Sequence, residues 1–86
     1  MIQLEAFDYV QNEKYRKEKM ELIKGSRYVL IRDKSAHNSF HNLINAIEHM
    51  ADFLGWKCVN ITSYYNVQEN TSYMFALMEK MDNKKL

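Results

Sequence analysis

The clearest periodicity in the chain runs from Phe40 to Leu54, where Phe40, Leu43, Ile44, Ile47, Met50, Ala51 and Leu54 recur at three- and four-residue spacing. That spacing predicts a helix over residues 40–54 with Leu43, Ile44, Ile47, Met50 and Leu54 buried. Ser39 or Asn38 is placed to cap its start, and Gly55 to end it. Before it, Arg27-Tyr28-Val29-Leu30-Ile31-Arg32 has the β-branched and aromatic content of a strand and runs into polar loop material over residues 33–38. After it, residues 56–65 read as a second strand, 66–72 as a turn and 73–81 as a third strand.

Residues 1–24 are rich in helix formers, with Glu13 and Lys17, and Lys14 and Glu18, as opposite charges at helical spacing. An N-terminal helix is expected there. Its apolar side of Ile2, Ala6, Tyr9, Val10, Met20 and Ile23 is interrupted by Glu13, Arg16 and Lys17, so residues 2–10 are open to a strand reading as well. The expected fold is therefore α+β: an N-terminal helical segment (1–24), a βαββ core (25–82) whose three-stranded sheet carries the central helix on one face, and a short tail (83–86), all within one domain.

In the last strand Tyr73, Phe75 and Leu77 alternate with Met74, Ala76 and Met78, so both faces of the sheet want cover. One helix buries one face. The other must be met by residues 1–24, by a second copy or by a partner. A homodimer, with Tyr and Met side chains near the contact, is the expected arrangement, and Tyr28, Tyr64, Tyr65, Tyr73, Met74 and Met78 are the candidate interface residues.

With 86 residues, 47% apolar and 27% charged, the chain has material for a single core and no compositional case for disorder. Twelve basic against eleven acidic residues give a net charge of +1, without the positive field that nonspecific nucleic-acid binding needs. The first eight residues lack a secretory pattern, no apolar run approaches the ~20 residues of a membrane span, and Cys58 is alone. A cytoplasmic location is expected, with no membrane partner, and the two Asn-x-Ser/Thr sequons are set aside for that reason.

Gly55-Trp56-Lys57-Cys58-Val59, with the strand, helix and hairpin around it from residue 27 to residue 80, resembles a small prokaryotic βαββ family of unknown function marked by a Gly-Trp-Glu-Leu-Val-like joint. Lys57 and Cys58 depart from that joint, and the first 26 residues lie outside the resemblance. It implies a βαββ fold and brings no catalytic residues with it.

Candidate chemistry is sparse. His41, Asn45, Glu48, His49 and Asp52 fall on the polar side of the central helix, but His41 and His49 are two turns apart and no spacing closes a metal site, so a solvated face is the simpler reading. No metal, cofactor or catalytic residue is expected. Arg32, Lys34, Ser35, His37, Ser39 and His41 gather near the start of the helix, where free N–H groups favour an anion, yet the glycines of a phosphate loop are missing. Three functions follow: a non-catalytic protein-interaction or regulatory domain acting through self-association and partner docking; a small anionic-ligand-binding protein or enzyme with a pocket at residues 32–39 and the polar helix side; and RNA binding through sheet tyrosines. The first accounts for most of the pattern.

Overall fold

The computed structural model describes residues 1–35 and 39–81. Its elements are β1 (Ile2–Glu5), α1 (Ala6–Gln11), α2 (Glu13–Lys24), β2 (Tyr28–Ser35), α3 (His41–Leu54), β3 (Trp56–Asn66) and β4 (Thr71–Lys80). The fold is α+β, and the sheet has four strands rather than three, in the order β1-β2-β4-β3. β1 runs parallel to β2, and the other two pairings are antiparallel.

The added strand comes from the segment expected to be one N-terminal helix. Leu4 turns into the core and Ile2 packs against it, while Gln3 between them is exposed, the period-two pattern of a strand. The helix that follows breaks at Asn12, whose side chain accepts the Tyr15 backbone N–H at 3.1 Å and so caps α2. This break coincides with the charged interruption at Glu13, Arg16 and Lys17. Arg16 folds back to donate to the Tyr9 carbonyl oxygen at 2.6 Å, with its guanidinium 5.8 Å from the Tyr9 ring centre. The charge that interrupts the stripe thus ties α2 to the end of α1.

α1 packs against α3, and both lie on the same side of the sheet. The core forms there, from Leu4, Ala6, Tyr9 and Ile23 of the N-terminal segment, Leu43, Ala46 and Met50 of α3, and Val29, Ile31, Trp56, Ala76 and Met78 of the sheet. The N-terminal segment therefore leaves the second sheet face uncovered and thickens the first. It also rotates the buried stripe of α3: Leu43, Ala46 and Met50 are buried and Ile47 half-buried, but Ile44, expected in the core, is 53% exposed because α1 occupies the other flank.

Ser39 does not supply the α3 cap that the sequence suggests but donates its N–H to Ser35 Oγ at 2.9 Å, and Asn38, the other candidate, lies outside the described residues. The cap comes from β2. Asp33, buried, accepts the Leu43 N–H at 3.0 Å through one carboxylate oxygen and the Lys34 N–H at 2.9 Å through the other. Gly55 ends α3 in the left-handed region at φ 78°, donating its N–H to the Met50 carbonyl, and Trp56 immediately enters the core.

Candidate interaction surface

Alternation along the strands sorts their side chains between the two faces. Val29, Ile31 and Asp33 of β2 point toward the helices, and Tyr28, Leu30, Arg32 and Lys34 point away. The register carries this across the sheet: Leu30 lies opposite Leu77, Arg32 opposite Phe75, Lys34 opposite Tyr73, and on the far side Tyr64 opposite Tyr73. The outward face thus bears Leu30, Leu77 and Phe75, all half-buried, with Tyr28 and Tyr64 more exposed, and among the described residues no helix packs on it.

An aromatic ladder occupies the hairpin end of this face. Tyr64 stacks on Tyr73 with ring centres 5.3 Å apart and planes at 19°, and Phe75 follows at 6.4 Å and 8°. The Arg32 guanidinium sits 5.3 Å from the Tyr73 ring centre while pairing with the Glu5 carboxylate at 3.1 Å. Tyr73 donates its hydroxyl to the Glu69 carboxylate, which anchors the turn to the ladder. At the other end Arg27 donates to Glu79 at 3.0 Å and the Tyr28 hydroxyl to the same oxygen at 3.3 Å; the Arg27 hydrogen bond above all holds the Glu79 carboxyl below its ordinary range. Arg32 and Glu79 are thus paired on a face whose other side chains include Leu30, Phe75 and Leu77.

β3 is an edge strand, and past Cys58 it is exposed on both sides. A bulge between Cys58 and Asn60 marks the change. Ile61 and Tyr65 point to the helix side, but no helix reaches them and each is 52% exposed. Cys58 itself rests half-buried against the core.

The structure divides the six candidate interface residues. Tyr28 and Tyr64 are accessible on the outward face and Tyr65 on the inward side of the hairpin, and Tyr73 lies beneath its neighbours in the ladder. Met78 is fully buried and Met74 packs against the core, so both belong to the interior.

Of the loop residues, Arg32 and Lys34 line a cleft with Phe7, Asn42 and three carboxylates, Glu5, Asp8 and Asp33. His41 and the two serines are not among its lining residues, and His37 lies outside the described residues. The helix end that would attract an anion already receives the Asp33 carboxylate. Burial pushes the Asp33 carboxyl up, against the lowering effect of its two N–H donors.

The polar side of α3 is not wholly solvated. α1 covers part of it, and the Tyr9 hydroxyl lies 2.7 Å from His49 Nδ1 while Gln11 donates to Asn42 at 3.1 Å. Burial raises Tyr9 to about 12 against the opposing effect of Arg16, and burial, then Arg16, lowers His49. The phenol therefore stays protonated and shares a hydrogen bond with the imidazole. No signal in the sequence joins these two residues, which stand forty positions apart. Among the described residues no group of three or more His, Cys, Asp or Glu side chains is gathered as a metal site, and no helix is long and apolar enough to cross a membrane. Comparison with protein-family models, curated proteins and solved structures finds no match.

Proposed function

We propose that this chain is a non-catalytic protein-interaction domain that works through self-association and through docking of a partner on the outward sheet face. The observation that carries this reading is the bare face itself: Leu30, Phe75, Leu77 and Tyr64 form an apolar surface on one side of a sheet whose other side is covered by helices over β1, β2 and β4. Side chains that could do chemistry elsewhere are engaged in holding the fold, Asp33 as the cap of α3 and His49 as the partner of Tyr9.

The test places a photoreactive residue at Tyr28, on this face, and another at Glu21, on the exposed side of α2. In the source cell the Tyr28 position should give discrete adducts that disappear with Leu30→Glu and Leu77→Glu, and the purified partner should rebind the unmodified domain. Equal labelling from both positions overturns the proposal.

The ladder of Tyr64, Tyr73 and Phe75 also favours a second reading, in which bases of single-stranded RNA stack on the face. Glu5, Glu69 and Glu79 around it oppose a phosphate backbone. Titration with a fluorescent oligonucleotide at low salt separates the two, with saturable binding lost in Tyr64→Ala as the result that would support RNA.

A further inference from the structure

The two edges of the sheet are unequal. β1 pairs over Ile2–Glu5 only, and a strand that short offers little to a neighbour. β3 is eleven residues long, in a chain without proline, and its one charge is Lys57. Edge strands are ordinarily blunted by shortness, charge, proline or a bulge. β3 carries its bulge near one end, at Cys58/Asn60, which leaves Asn60-Ile61-Thr62-Ser63-Tyr64-Tyr65-Asn66 as an uninterrupted and uncharged ladder edge.

Resting on the reading above, we infer that this edge pairs antiparallel with the same edge of a second copy, joining the two four-stranded sheets into one. The bulge bounds the pairing at one end and the turn after Asn66 bounds it at the other, so the two-fold axis falls at Ser63. That register sets Asn60 opposite Asn66 of the second copy, Ile61 opposite Tyr65, and Thr62 opposite Tyr64. These are amide with amide and β-branched with aromatic, the combinations that stabilise cross-strand pairs. No charged residue meets another, because none occurs between Lys57 and Glu69. A partner of different sequence would need its own matching uncharged strand, whereas a second copy supplies one by symmetry. Ile61, Tyr64 and Tyr65, each about half exposed, lose part of that exposure to the side chains of the strand alongside. A ladder of this length lies at or below about 1,200 Å² of buried surface, the low end for specific complexes, so dissociation in the micromolar range is expected.

Oxidation of Cys58→Ala/Ser63→Cys should trap a disulfide dimer rapidly, since the two thiols meet on the axis, while Cys58→Ala/Gln3→Cys on the β1 edge should not. Sedimentation of the unmodified protein should pass from monomer to dimer over about 1–100 μM. Ile61→Glu/Tyr65→Glu should stay monomeric with unchanged circular dichroism, as should Ile61→Lys/Tyr65→Lys, because each sets like charges across the pair. Mixing the two should restore a heterodimer, which a loss of folding or a different register would not do. A clean 10.3 kDa species at the highest concentration, or trapping through residue 3 as fast as through residue 63, overturns the inference. Either result leaves the outward-face reading standing if the Tyr28 adducts persist.

Discussion

Ile31 and Ile61 stand in the same row on the same face of the sheet, one on each side of Ala76, yet Ile31 is fully buried and Ile61 is 52% exposed. The difference is cover. α1 and α3 lie over β1, β2 and β4, and β3 past its bulge extends beyond them. Identical side chains on identical backbone are core at one position and surface at the other, so strand composition alone does not say which residues hold the fold and which remain for a partner. The covered side explains stability, and the uncovered side is where function is to be sought.

The largest effect that tests this contrast is truncation on the two sides. Ile31→Ala should cost about 2–5 kcal/mol in urea unfolding, through lost burial and the cavity it leaves. Ile61→Ala, measured dilute enough to keep the chain monomeric, should stay within about 1 kcal/mol, as exposed positions do. Equal costs would show that the hairpin is covered in solution by something other than a second copy.

Next in size is the link that fastens α3 to the sheet. Asp33→Ala leaves the Leu43 and Lys34 N–H groups without their acceptor and should destabilise by about 1–3 kcal/mol. Asp33→Asn keeps one acceptor oxygen and should lose less. If the two variants were equally damaging, the charge rather than the hydrogen bonds would be what positions α3.

The uneven legibility of these elements in the sequence has physical causes. α3 and Gly55 are readable because fourteen residues of helical period and a glycine stop are local signals, and the bare face is readable because Tyr73, Phe75 and Leu77 alternate with Met74, Ala76 and Met78. β1 is readable only as one of two alternatives for residues 2–10: four residues of alternation sit inside a run of good helix formers, and pairing with β2, which no local rule contains, decides for the strand. Asp33 as a cap and His49 as the partner of Tyr9 depend on contacts across ten and forty residues. Ile44 was expected in the core because helical spacing gives the width of a buried stripe, while the neighbour that decides its centre is α1.

A smaller effect tests the corner where the covered helix gives way to the uncovered strand. Gly55→Ala places a side chain at φ 78° and should cost about 1 kcal/mol, read as a lower melting temperature. No change would mean that the α3 end relaxes without strain.

The smallest expected effect lies under α1, where His49 is hydrogen-bonded to Tyr9. Folding holds His49 below its ordinary value of 6.5, chiefly by burial and secondarily through Arg16. Between its folded value and 6.5 the unfolded chain binds a proton that the folded chain refuses, so acidification favours unfolding. The stabilisation is complete above about 6.5 and is lost as the pH falls through the folded value. Asp33 works the other way: its carboxyl is raised in the fold, chiefly by burial, so its ionised form opposes folding at neutral pH, and that opposition eases as the carboxyl takes up its proton in acid. Melting temperature should therefore decline modestly from pH 7 toward pH 5, because His49 is only partly covered, and His49→Gln should flatten the decline. A decline of unchanged slope in His49→Gln would place the titrating group elsewhere and leave the Tyr9–His49 contact without a share in the acid sensitivity of the covered side.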